Sequence, residues 1–337
     1  MAGKSDGEVV IKITGDDREF KKTLEDTGKS AAVVTAALVA MGTAAINVST
    51  KFDAAFAKTQ TIMDATQVSV GDMRKDILDL SATSGMAATD VSEAVYQAIS
   101  GSVATADAAN FVGEANQLAV AGFTSLTNAT DVLTTTLNAY GLEADAVGGI
   151  SNVLIQTQNL GKTSVDELSA SMGKAISTGS AYGVGLANLS TAYVELTKGG
   201  IATAEATTYI SGMLNELGKS SSKVGKIIQE KTGKSFGQLM QDGWSLADVL
   251  DVLMQSVDGN SEALMQLWSS QEAGKAANAL AVQGFDDFNH VLAKMEREMS
   301  GATSTTKDAY SVMTDTSEFV DTRFKNALTN LGVAAGD

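Results

Sequence analysis

Along most of this chain apolar residues recur at three- and four-residue intervals with polar residues between them, which is the spacing of one face of an α-helix. Val91, Ala94, Val95, Ala98 and Ile99 follow it, as do Val165, Leu168, Met172, Ala175 and Ile176. The pattern is strongest at Leu246, Val249, Leu250, Leu253, Met254 and Val257. Gly85, Gly101, Gly122, Gly141, Gly161, Gly183, Gly200, Gly218, Gly233, Gly243 and Gly259 divide the chain into pieces of helix length. Gly101 and Gly259 read as left-handed caps, a backbone conformation that glycine adopts at little cost. Starts are marked by Ser69-Val-Gly-Asp72, Ser164-Val-Asp-Glu167, Ser235-Phe-Gly-Gln238 and Ser245-Leu-Ala-Asp248. In each, a hydroxyl at the N-cap and an acceptor three residues on satisfy N–H groups that the first turn leaves unpaired. Ten or more short to medium helices are predicted between about Val68 and Ser300.

The N-terminal part reads differently. Glu8 to Thr14 is β-branched with a rough alternation and ends at Gly15-Asp16-Asp17, which predicts one short strand and a turn. A helical pattern follows from Asp17, with Phe20 and Leu24 on one face, towards Gly28. Ala31 to Val48 is about 18 residues without a charge. That length suits a membrane span, but the segment is Ala-rich with Thr35, Gly42, Thr43 and Asn47 inside it. The alternative is a helix buried on all sides, or one that self-associates through its small residues.

The predicted fold class is all-α: a multi-helix bundle of short to medium helices, with a long Ala-rich N-terminal helix and one short N-terminal β-strand. The expected division is residues 1–28 (strand and start of helix), 29–66 (the long apolar helix), 67–300 (a compact helical region) and 301–337 (a further helix). That last helix carries Phe319, Phe324, Leu328 and Leu331 and is still running where the sequence stops, so the chain reads as a piece of something longer. A faint echo links Leu118-Ala-Val-Ala-Gly122-Phe123 with Leu196-Thr-Lys-Gly-Gly200-Ile201. It reads as duplication or as the shared grammar of helical bundles.

Composition sharpens this picture. The 337 residues contain no proline and no cysteine but 32 glycines. About 17 prolines would be expected at average usage, so helix interiors are kept free of the residue that cannot continue them. Breaks made by glycine can be straightened far more cheaply. No disulfide framework or zinc ribbon can form without cysteine. Aromatic residues make up only 5% of the chain, so helices are expected to meet through small side chains. The net charge of -16, with no basic run longer than Lys21-Lys22, disfavours sequence-specific nucleic-acid binding. The first residues lack an apolar h-region, which points to synthesis in the cytoplasm.

Five Gly-Lys-Ser/Thr triplets, at Gly3, Gly28, Gly161, Gly218 and Gly233, imitate the end of a phosphate-binding loop. The loop also needs a glycine five positions earlier, where Thr23, Gln156, Met213 and Ile228 stand and the first triplet has no room. These triplets read as one helix ending in Gly, a Lys at its C-terminal dipole, and Ser or Thr capping the next. Ser171-Met-Gly-Lys174 and Lys231-Thr-Gly233 resemble two signatures of penicillin-recognising enzymes, without Ser-Asp-Asn between them. His290 is the sole histidine and sits in an amphipathic helix pattern. Asp286-Asp287 and Glu296/Glu298 read as a solvated face, and Trp244 and Trp268 as core anchors. No catalytic, cofactor-binding or metal-binding residue is assigned, no cofactor is implied, and no enzymatic activity is expected.

The order of segments from Phe52 to about Val257 resembles the core region of phage tail tape measure proteins. The resemblance runs through Phe52-Asp-Ala-Ala-Phe56, Leu80-Ser-Ala-Thr-Ser-Gly85, Thr89-Asp-Val-Ser-Glu-Ala94 and Leu118-Ala-Val-Ala-Gly122-Phe123. It continues through Thr163 to Leu168, Gly183 to Leu196, and Gly199-Gly200-Ile201 to Leu217. The proline common in that family after the later helices is absent around Ser220 to Ser222. The resemblance implies a structural protein of a phage or prophage tail that lies in the tube lumen, sets tail length, scaffolds tube assembly and leaves ahead of the DNA at ejection. It implies as partners further copies of itself, the tail tube protein, tail assembly chaperones and tail tip or baseplate proteins, with host membrane contact at ejection. It also implies the virion tail as location, and the host bacterial cytoplasm during assembly. The competing reading is a membrane-active helical protein that inserts or forms a pore through residues 31–48.

Overall fold

The computed structural model describes residues 49–335. The strand expected at Glu8 to Thr14 and the apolar segment Ala31 to Val48 lie outside the described residues. Within them every regular element is helical, and fifteen of the α-helices fall between Val70 and Met299. The first is α1, residues 49–60, which ends in a turn at 61–62. It is followed by α2 (Val70–Ser84), α3 (Ala88–Ser100), α4 (Ala108–Ala121), α5 (Leu126–Tyr140), α6 (Val147–Leu160), α7 (Val165–Ser171), α8 (Gly173–Ala181) and α9 (Leu186–Lys198). Then come α10 (Thr203–Gly218), α11 (Lys223–Thr232), α12 (Phe236–Gln241), α13 (Leu246–Gln255) and α14 (Ser261–Met265). The last are α15 (Gln271–Gln283), α16 (Phe285–Met299), α17 (Thr305–Thr314) and α18 (Ser317–Ala335).

The predicted starts are real caps. Ser164, Ser235 and Ser245 each form a reciprocal capping box with Glu167, Gln238 and Asp248. Ser69 accepts from the Asp72 amide at 3.1 Å. The stops divide into two kinds. Gly259 takes the left-handed conformation, as expected, and so do Gly85, Gly141 and Gly233. Gly101 does not: its φ is -81°, and the left-handed residue is Ser102, at φ 74°. Glycine is needed at 101 for room, because a Cβ there would lie 2.9 Å from the Thr134 side chain.

Helix α9 forms the centre of the packing. Ten of its residues are buried, among them Leu189, Tyr193, Val194 and Leu196. It contacts α6, α16, α10, α15 and α8. A helix buried on all sides must satisfy its polar groups internally. Thr191 and Thr197 donate to the carbonyls of Ala187 and Tyr193, the Tyr193 hydroxyl meets that of Thr207 at 2.6 Å, and Glu195 pairs with Lys198 at 3.0 Å. On one side α2 to α5 pack in chain order, with α7 and α8 wedged between α5 and α10. The chain then doubles back: α16 lies on α9 and α6, α17 on α4 and α6, and α18 on α2. The core is therefore closed by the last helices returning to the first.

Burial pushes the Tyr193 hydroxyl above its ordinary value, although the hydrogen bond with Thr207 works against this. Tyr140, which donates to the Val184 carbonyl at 3.0 Å, is raised in the same direction by burial. A pKa raised by folding contributes stability that is complete below the unfolded value of about 10 and is lost as pH rises through the folded one. Urea titrations at rising pH should therefore show stability falling above about pH 10, by up to ~1.4 kcal/mol per pH unit for Tyr193 alone. Tyr193→Phe should flatten that slope, and an unchanged slope would contradict this reading.

Candidate functional site

Among the described residues, those singled out for chemistry lie on separate elements. Gly233 caps α11, Lys234 pairs with Asp242 at 2.7 Å, and Ser235 caps α12. Gly161 is extended, the Lys162 amide donates to Thr197 Oγ1 at 3.1 Å, and Thr163 Oγ1 meets Thr203 Oγ1 at 2.8 Å. The triplets at Gly3 and Gly28 lie outside the described residues. Ser171 donates to the Glu167 carbonyl at 2.7 Å, and Lys231 stands in the last turn of α11. His290, Asp286, Asp287 and Glu296 are exposed on α16. Trp268 is buried and Trp244 packs against the core from a half-buried position. Among the described residues no group of His, Cys, Asp and Glu is placed to hold a metal ion.

Glu298 departs from the expected solvated face. It is buried at 6% exposure and accepts hydrogen bonds from Thr303 and from Thr305 Oγ1, the latter at 2.7 Å. Beside it Asn152 of α6 donates to the Thr303 carbonyl at 3.0 Å and accepts from the Thr306 amide at 2.9 Å. These residues staple the α16–α17 turn to α6.

One end of the bundle carries a more suggestive arrangement. The α4–α5, α6–α7 and α9–α10 connections meet around the start of α7. Asp166 Oδ1 accepts from Thr124 Oγ1 at 2.7 Å and from Asn128 Nδ2 at 3.0 Å, and these donors hold its carboxyl below the usual range. Glu167, besides closing its capping box, accepts from Thr203 Oγ1 at 3.0 Å. A single two-residue acidic step thus ties together the two segments that echo each other in sequence.

The register of that echo is offset by one. The Thr124 amide bonds to the Ala119 carbonyl across a left-handed Phe123, at φ 54°. The Ile201 amide bonds to the Leu196 carbonyl across a left-handed Gly200, at φ 88°. Phe123 therefore performs the turn that glycine performs at 200. Gly122 is fixed one position earlier because a Cβ there would lie 2.6 Å from Val165 Cγ2. A bulky residue at positive φ is a true outlier, and this one leaves its ring 69% exposed. Phe123→Gly should raise unfolding stability by about 1 kcal/mol, the strain that an L-residue carries in this region. A loss of stability in denaturant titrations would show instead that the ring supports the fold.

Around α2 and α4 lies an open groove of about 840 Å³ with Asp76, Asp79, Asp107, Glu114 and Asp145 in its lining, faced by Lys307 of α17. Lys307 stands 4.0 Å from Glu114. The surface there is acidic, in keeping with the whole chain, and repels polyanions.

The sequence profile of the phage-related minor tail proteins matches residues 74–267. The chain belongs to this family. The match runs from α2 to just beyond α14, omits Phe52 to Phe56 and extends past Val257. Among curated proteins, a probable tape measure protein of Clostridium phage phiCD119 is 30% identical over 293 residues, which is 84% of this chain and 31% of that protein. The tape measure protein of Pneumococcus phage Dp-1 is 22% identical over 203 residues, 60% of this chain and 18% of its own length. The chain thus spans under a third of the length of either relative. No solved structure matches it. These likenesses bear out the resemblance to phage tail tape measure proteins read from the sequence, and the family's role in the tail is structural.

Proposed function

We propose that this chain is the helical module of a tail tape measure protein that lies in the tube lumen, helps set tail length and scaffolds tube assembly, and leaves ahead of the DNA. The observation that carries the proposal is the family match across a helical region without one proline. Each helix stops at a glycine, a serine cap or a short turn, so continuing one helix into the next requires no ring to be removed. A fully helical chain of 337 residues would reach roughly 500 Å at about 1.5 Å per residue. The acidic surface suits a body that shares a conduit with DNA and must not hold it. Its partners are other copies of the chain, the tube protein, assembly chaperones and tip or baseplate proteins. Among the described residues no helix is long and apolar enough to cross a membrane, and residues 31–48 lie outside them.

Ejection can be tested directly. Quantitative mass spectrometry of filled virions and of virions triggered to release their DNA should find the chain in the first and strongly depleted in the second. Equal amounts in both would refute its release with the genome.

A further inference from the structure

The faint echo between the α4–α5 and α9–α10 turns belongs to a longer repeat. Val70-Gly71, Val147-Gly148 and Val224-Gly225 stand 77 residues apart, at the starts of α2, α6 and α11. With that period α2 corresponds to α6, α3 to the α7–α8 pair, α4 to α9 and α5 to α10. The packing corresponds too. In the first unit α2 meets α3 and α4, α3 meets α4 and α5, and α4 meets α5. In the second α6 meets α7 and α9, α8 meets α9, α7 and α8 meet α10, and α9 meets α10. Each of the eight buried residues of α5 has a buried residue of α10 at the same place in the second unit. The shared habits of helical bundles do not fix period, buried face and packing partners together, so residues 70–146 and 147–223 are two units of one design.

The units differ in what fills the groove between their first and third helices. In the second, α16 lies across α6 and α9. The Met299 carbonyl closes on Gly149, and Glu296 and Met299 line a hollow with Leu186 and Ala187 at the start of α9. In the first unit the counterparts of Leu186 and Ala187 are Ala109 and Asn110, and both line the open groove of about 840 Å³. On α2 the counterpart of Gly149 is Asp72. Asp76, Asp79 and Thr83, one, two and three turns further on, share its face and line the groove. The groove is therefore the first unit's version of the seat that α16 occupies in the second. Of α17, Lys307 alone lines it.

The chemistry of the seat selects its occupant. The buried face of α16 is apolar at Phe288, Val291, Leu292 and Met295. The first unit's groove keeps apolar lining at Leu80, Phe111 and Val147, but sets Asp76, Asp79, Asp107, Glu114 and Asp145 around it. Lys75, on Asp79 at 2.7 Å, and Lys307, 4.0 Å from Glu114, offset only part of that charge. We propose that this groove binds an amphipathic helix of a partner protein whose lysines and arginines flank its apolar stripe. The seated α16 supplies the precedent for shape, and the carboxylates supply selectivity. A further copy of this chain, at net charge -16, is repelled by the same carboxylates.

The probe is a fluorescein-labelled peptide with the α16 sequence, residues 285–299, in which every aspartate and glutamate is replaced by lysine. The unaltered sequence and a scrambled peptide of the same charge as the probe are its controls. Fluorescence anisotropy with the 337-residue chain should show the basic helix binding about tenfold more tightly than either control. Asp76→Asn/Asp79→Asn/Glu114→Gln should weaken that binding about tenfold. Asp286→Asn/Asp287→Asn/Glu296→Gln removes the same charge from exposed positions of α16 and should leave binding near the parent value. Asn110→Trp fills the groove without changing charge and should also weaken binding, while circular dichroism checks that each variant keeps its helix content. Equal loss from the two triple variants, equal binding of the scrambled peptide, or undiminished binding by the Asn110→Trp chain would overturn the proposal. So would self-association of the chain that Asn110→Trp abolishes, since a second copy would then be the occupant.

Discussion

Replacing Gly149 with valine is expected to lower the stability of the chain by about 3 kcal/mol, whereas alanine at the neighbouring Gly148 raises it by ~0.5–1 kcal/mol. Both glycines lie in the first turn of α6. A Cβ at 149 would stand 2.3 Å from the Met299 carbonyl oxygen, a backbone atom of α16 that no rotamer change can move away. Relief requires the two helices to separate, and with them the α16–α17 turn and the contact with α9. At 148 a Cβ meets nothing within 4 Å, so alanine there only removes the backbone entropy of glycine. Denaturant titrations of the two variants should shift in opposite directions. A Gly149→Val variant as stable as the parent would mean that α16 does not pack on α6 as described.

Asn152→Ala should cost about 2–3 kcal/mol, because it strands a buried N–H and a part-buried carbonyl instead of removing a paired couple. The Thr306 amide and the Thr303 carbonyl both lose their partner, next to a Glu298 carboxylate whose own donors come from the same turn. The effect should be local first. Amide exchange through α17 should quicken while exchange in α9 follows only the global loss. If α17 exchanges as in the parent, the staple is not what holds the returning helices. Asn152→Asp should not rescue the site, since a carboxylate can accept from Thr306 but cannot donate to Thr303.

Much of this was legible in the sequence because capping and periodicity are local. The four Ser-initiated starts and the glycine stops were found in place, and the segments they delimit are the helices. What the pattern missed depends on contacts between distant residues. The spacing makes Gly101 a left-handed cap and Gly122 a break between helices, but Thr134 and Val165 reserve both for packing, and the left-handed conformation falls to Ser102 and Phe123. The off-by-one echo has the same origin. Helical spacing alone groups Glu298 with the solvated acids of α16, because it cannot reveal that the following turn folds back over it. Of the site chemistry the sequence offers only isolated motifs; among the described residues His290 is exposed on α16, and the triplet at Gly233 falls at a helix junction, where Gly233 caps α11 and Ser235 caps α12. Phe123 left no signal beyond its place after Gly122.

In the function proposed above, a module of proline-free helices contributes to a molecular ruler by extending. Tail length measures this directly. A phage whose gene lacks residues 223–255 in frame, the span of α11 to α13, should build tails shorter by roughly 50 Å in electron micrographs, at about 1.5 Å per deleted residue. A second phage with the same span duplicated should build tails longer by a similar amount. Tails of unchanged length in both, from particles that still incorporate the altered protein, would contradict it.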